Sequence, residues 1–102
     1  ISLKIFVLDN SRLGIVSQFQ LFNWEKDEST GNKINPSFSK IANGYGIKSC
    51  DIYKKEDISN VLKNVFSTNK PEVIHCHVDT EEDVLPMLLA GQKMNEMYPI
   101  TE

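Results

Sequence analysis

The stretch Leu3 to Gln20, LKIFVLDNSRLGIVSQFQ, constrains the fold more than any other part of the sequence. Its apolar run, Leu3, Ile5, Phe6, Val7 and Leu8, reads as a buried β-strand. The run stops at Asp9-Asn10-Ser11, three short polar residues that favour turns and helix N-caps because their side chains bond nearby backbone. Gly14 follows, and Ile15, Val16 and Phe19 then recur at helical spacing. Strand, polar turn and helix make the junction at which open α/β sheets bind ligands, outside the carboxyl end of the strand. Free N–H groups at the new helix start suit a phosphate, and side-chain oxygens in the turn suit a hard cation. The plainer reading of the same residues is a βα turn in which Asp or Asn caps a helix.

Beyond this stretch, Leu21 to Ile34 is polar around Ser29-Thr30-Gly31-Asn32 and reads as a loop. Phe22 and Trp24 stand at its start, either packing the loop onto the body or meeting a neighbouring domain or subunit. Asn35 as N-cap and Pro36 at the first helical position open a second helix, with Phe38, Ile41, Ala42 and Tyr45 as its buried stripe. Gly44 and Gly46 sit where that helix should stop. Ile47 to Tyr53 is a second strand. Lys54-Lys55-Glu56-Asp57 leads into a third helix carrying Ile58, Val61, Leu62, Val65 and Phe66, the clearest helical periodicity in the chain. Ser67 to Pro71 ends it, and Glu72 to Val78 is a third strand. The order predicts an α/β fold, a largely parallel sheet flanked by helices. The tail, residues 79–102, is first acidic and then apolar; Pro86 interrupts it, and Gln92 to Met97 can form a short helix.

With 102 residues, the chain makes at most one small domain, residues 1–102. A formal charge of -3 argues against nucleic acid or an anionic membrane as the main partner. No apolar run approaches the roughly 20 residues that span a bilayer. Cys50 and Cys76 are too few for a disulfide framework and read as reduced thiols of a cytoplasmic protein. His75-Cys76-His77 invites a metal, but strand alternation puts the imidazoles on one side and the thiol on the other. No fourth ligand is evident nearby, so packing is the favoured reading. The run Asp79, Glu81, Glu82, Asp83 reads as a solvated loop rather than a cation site. No nucleophile with a partnering base can be assembled, so no catalytic residue is assigned.

Several motifs, in order, resemble large subunits of acetolactate synthase, a thiamine-diphosphate enzyme family. Asp9-Asn10-Ser11-Arg12-Leu13-Gly14-Ile15-Val16-Ser17-Gln18-Phe19-Gln20 resembles the family's Asn-Asn, two variable residues, Leu-Gly-Met-Val, one residue, Gln-Trp-Gln. Asn35-Pro36-Ser37-Phe38 with Tyr45-Gly46, Pro71-Glu72-Val73, and Val84-Leu85-Pro86-Met87 with Gly91 are similar to its later signatures. The resemblance covers Leu3 to about Met97. It implies the C-terminal portion of a thiamine-diphosphate-binding fold. It also implies an enzyme that decarboxylates pyruvate or a related 2-oxo acid and joins the two-carbon unit to a second 2-oxo acid, as in branched-chain amino acid biosynthesis.

Thiamine diphosphate and Mg2+ are the cofactors so implied. Asn10 through its side chain and Arg12 through its carbonyl would be metal ligands, and Asn10, Arg12, Leu13, Gly14 and Ile15 the cofactor-binding set. Ile15 and Phe19 would face the substrate, and Leu85, Pro86 and Met87 would close over the cofactor. Asp9, Ile15 and Phe19 stand where the family has Asn, Met and Trp, which leaves the acceptor open. The family's Gly-Asp-Gly ligand and the activating glutamate, supplied by a neighbouring subunit, are not in this chain. The expectation is therefore an inactive fragment of a dimeric or tetrameric enzyme, partnered by the remainder of that enzyme and a second subunit. FAD, carried by many members in a middle domain, has no site here. The alternatives are a stand-alone α/β interaction or regulatory module, and a related decarboxylase that joins no second substrate.

Overall fold

The computed structural model describes residues 1–24 and 35–97. Within them the chain runs β1 (Lys4–Asp9), α1 (Gly14–Trp24), α2 (Phe38–Gly44), β2 (Lys48–Ile52), α3 (Ile58–Phe66) and β3 (Glu72–His77). The strands form one parallel sheet in the order β1-β3-β2, so all three carboxyl ends emerge at the same edge. This is the α/β arrangement expected from the alternating pattern.

Each face of the sheet has its own chemistry. On one face Ile52 and Ile74 meet Val65 of α3, with Cys50, Val61 and Cys76 packed around them. Both cysteines are free thiols, and burial pushes both upward from the usual thiol range. On the other face α2 packs against β2 and β3, burying Ser39 and Ala42. That face is polar towards the strand ends, where Asp9, His75, His77 and Asp51 lie side by side. Parallel pairing sets them in register, His77 opposite Asp9 and His75 opposite Asp51.

Several local expectations need correction. β1 is an edge strand, not a buried one: Leu8 is 75% and Ile5 45% exposed. Helices α2 and α3 sit over β2 and β3, and α3 reaches β1 through Phe66, whose ring centroid lies 6.3 Å from that of Phe6. An open groove of about 610 Å³ remains beside it, lined by Phe6, Leu8, Tyr53, Leu62 and His77 among others.

The N-cap of α2 is Ser37, whose hydroxyl accepts the Lys40 N–H, because the Asn35 side chain is taken by Asp9. Ile41 and Tyr45 are exposed rather than part of a buried stripe, since Ser39 turns inward to Asp51 instead. Gly46 does close α2, with φ of 75° where a side chain would be strained. Helix α1 extends through Trp24, so Leu21 to Trp24 are helical rather than loop. The remainder of the expected loop, residues 25–34, and the Phe22 and Trp24 side chains lie outside the described residues. Instead of a helix from Gln92 to Met97, a single 3-10 turn spans Met94–Glu96.

Candidate functional site

The site is built on the turn between β1 and α1. Asp9, the last residue of β1, accepts three hydrogen bonds. Its Oδ1 takes the Ser11 N–H at 2.9 Å and the Asn35 amide at 2.7 Å, and its Oδ2 pairs with His75 Nε2 at 2.7 Å. Burial alone would raise this carboxyl, but the His75, Ser11 and Asn35 bonds hold it below the usual aspartate range. The bond to Ser11 forms the Asx-turn that reverses the chain, and Ser11 takes φ of 57°, a conformation few residues other than glycine adopt.

Because Asp9 does the turn's bonding, the neighbouring Asn10 amide is left uncommitted. No hydrogen bond involves its side chain among the described residues. It lies against the start of α1 instead, where a Cβ on Gly14 would stand 2.8 Å from Asn10 Nδ2. Glycine at this position is therefore what lets the amide lie across the helix N-terminus. The 11 residues of α1 give that terminus partial positive charge and free N–H groups. The combination of an uncommitted amide oxygen, a dipole and a glycine-cleared approach suits a cation held together with an anion.

The tail completes the site. The buried Arg12 guanidinium pairs with Asp83, so one member of the acidic run expected to be solvated is an ion-pair partner. Gln18, in α1, donates its amide to the Val84 carbonyl at 3.0 Å and accepts the Val84 N–H at 3.0 Å, with Met87 Sδ also 3.0 Å from its nitrogen. Val84 to Met87 are thereby laid beside the turn, and Met87 is buried. Leu13 and Ile15 project outward from the same region, 56% and 51% exposed, and Phe19 is half-buried. The predicted set of Asn10, Arg12, Leu13, Gly14 and Ile15 thus occupies one turn, with Leu85 to Met87 as its neighbour.

The sequence assigns no role to Asp51, reads Asp83 only as part of a solvated run, and shows Gln18 only within the motif from Asp9 to Gln20. Asp51 accepts from Ser39 Oγ at 2.8 Å and pairs with His77 Nε2 at 2.8 Å. Burial would raise its carboxyl, but the His77 and Ser39 bonds bring it below the ordinary range. The histidines do share one face, as alternation requires.

Comparison with known proteins shows the family. Residues 1–76 match the family model described as "Thiamine pyrophosphate enzyme, C-terminal TPP binding domain". The chain belongs to the thiamine pyrophosphate enzymes, within their C-terminal cofactor-binding domain. Relatives of this thiamine pyrophosphate domain include the mitochondrial acetolactate synthase catalytic subunit of Saccharomyces cerevisiae, 34% identical over 91% of this chain and 14% of that protein. The acetolactate synthase isozyme 2 large subunit of Escherichia coli is 35% identical over 93% of this chain and 18% of its own. The acetolactate synthase large subunit of Cyanidium caldarium is 30% identical over 100% of this chain and 18% of its own. The chain therefore spans less than a fifth of the length of these relatives. No helix among the described residues is long and apolar enough to cross a membrane.

Proposed function

We propose that this domain segment holds the diphosphate and divalent-cation end of thiamine diphosphate in an acetolactate-synthase-like enzyme. The carrying observation is the Asn10 amide, without a hydrogen bond among the described residues and laid over Gly14 at the start of α1. Asn10 through its side chain and Arg12 through its carbonyl would ligate Mg2+, and the Gly14 N–H would face the diphosphate. Asp9 fixes the turn, and the Arg12–Asp83 pair with Gln18 holds the tail beside the cofactor. Exposed Leu13 and Ile15 offer apolar surface to the cofactor and, with Phe19, to the substrate. When bound, the cofactor supplies the carbanion chemistry that decarboxylates a 2-oxo acid and joins the two-carbon unit to another. The residues here bind, orient and exclude water; the activating acid and a further metal ligand come from elsewhere in the enzyme or a second subunit, so this segment alone is inactive. FAD, where present, sits outside this segment. Two free thiols support a reducing compartment such as the cytoplasm.

The test uses the full-length protein. Thiamine diphosphate should bind with Mg2+ and be released by chelation, and pyruvate should yield CO2 together with a joined product. Asn10→Ala should weaken cation-dependent binding by about tenfold or more, in the range seen when metal-site groups are lost. CO2 without a joined product would assign the decarboxylase alternative. Absence of Mg2+-dependent cofactor binding would sink the reading and leave an ordinary capped turn.

A further inference from the structure

The polar layer under the strand ends carries an inference independent of thiamine diphosphate. His75 is 3% exposed, and its Nδ1 is buried with no hydrogen-bond partner among the described residues. A buried ring nitrogen left without a hydrogen bond is costly, so it calls for an explanation. The other ring nitrogen, Nε2, is engaged by the Asp9 carboxylate at 2.7 Å. A carboxylate there holds the N–H on Nε2 and turns the lone pair of Nδ1 outward, the arrangement that metal-ligating histidines use. The Nδ1 atom lies 3.4 Å from Asp51 Oδ1, and that oxygen is 2.8 Å from His77 Nε2.

We propose that His75 Nδ1, His77 Nε2 and Asp51 Oδ1 form a site for a borderline divalent transition-metal ion of the zinc type. Two histidines at alternate positions of β3 face the same side, and β2 brings a carboxylate into register beside them. Ligand atoms around a tetrahedral ion at usual zinc distances stand about 3.3–3.5 Å apart. The 3.4 Å separation of His75 and Asp51 already fits; the His77 contact opens by about half an ångström as its bridging proton leaves, and the two imidazoles, stacked with centroids 4.0 Å apart, turn away from each other to aim both nitrogens at one ion.

The surrounding shell is in place. Asp9 orients His75, Ser39 Oγ holds the second oxygen of Asp51 at 2.8 Å, and the Tyr53 ring stacks on His77 at 4.1 Å. Asp9, His75 and His77 also offer ligand atoms within 4.8 Å of one another. Asp9, however, already accepts three bonds, which makes it an orienting group rather than a ligand. Side-chain exposure of 30% at His77 leaves a route for the ion and room for solvent as the remaining ligand. Imidazole ligands favour zinc-like ions over magnesium.

The experiment takes the chelator-treated full-length protein with Mg2+ held constant. It titrates Zn2+ against a chromogenic chelator and records the ligand-field spectrum of added Co2+. Stoichiometric Zn2+ binding is expected, weakened at least about tenfold in His77→Gln and in Asp51→Asn. Cys76→Ser, on the opposite sheet face, should leave it unchanged, and circular dichroism checks that each variant is folded. Absence of stoichiometric binding, or binding that the His77 and Asp51 variants do not alter, overturns the site; so does weakening by Cys76→Ser. Because the readout needs no thiamine diphosphate, its failure is distinct from failure of the cofactor assignment.

Discussion

At the residue scale, Gly14 separates folding from function. Alanine is the better helix former, by less than the interior difference of about 1 kcal/mol because Gly14 opens α1, so Gly14→Ala should leave stability unchanged or slightly raised. The new Cβ would stand 2.8 Å from Asn10 Nδ2, and the amide, the free end of a side chain, must swing away. The expected outcome is a melting temperature at or above that of wild type with cation-dependent cofactor affinity lowered about tenfold or more, in the range seen for disturbed metal sites. Calorimetry and a thermal melt on the same protein check both halves. The turn itself was legible in the sequence, because a strand-like apolar run meeting Asp-Asn-Ser and then Gly has few other local solutions. Which side chain closes it was not. Asp9 and Asn10 are equally able to make an Asx-turn, and the choice rests on His75 and Asn35, distant in sequence.

At the scale of elements, the ends of the sheet differ sharply. The carboxyl end gathers Asp9, His75, Asp51 and His77, whereas the amino end gathers charge around Glu72, which is 2% exposed. The Thr68 hydroxyl at 2.8 Å, with the Lys48 and Lys4 ammonium groups, holds the Glu72 carboxyl below its ordinary range against burial. A depressed carboxylate stabilises the fold fully above its unfolded value, and that stability is lost as pH falls through the folded one. Wild type should therefore lose stability steadily below about pH 4.3, and Glu72→Gln should show a flatter acid limb. Melting temperatures of both proteins from neutral to acid pH check this, and an identical acid limb would remove Glu72 from the explanation. The strands and α3 were readable because alternation and the 3.6-residue period are local signals. The exposure of β1 was not, since a short apolar run looks the same in the middle of a sheet and at its edge. The cap of α2 was misplaced for a similar reason: Asn35 and Ser37 both make good caps, and only Asp9 decides between them.

At the scale of the whole molecule, apolar surface exceeds what the described core covers. Ile52, Val65 and Ile74 form a small centre, while Leu8, Leu13, Ile15, Phe66 and Leu85 remain at least half exposed. Residues 1–102 expressed alone should bind a hydrophobic dye such as ANS strongly and unfold with weak cooperativity. In the full-length protein the same side chains should be protected. Dye fluorescence on both, at equal molar concentration, checks the difference; a dye-silent, cooperatively melting segment would show that this surface needs no cover.

The strand order carries a consequence for the path by which the chain reaches its structure. His77 meets Asp51 across 26 residues of chain, whereas His75 meets Asp9 across 66. Closing the shorter loop costs less conformational entropy, so β2, α3 and β3 can assemble around Ile74 while β1 is still searching. The docking of β1 then comes last, and it is the step that brings Asp9 to His75 and sets the Asn10 turn. Until that late event, the hydrophobic centre exists without the turn proposed to face the diphosphate, and a chain arrested there would have a core but not that proposed site.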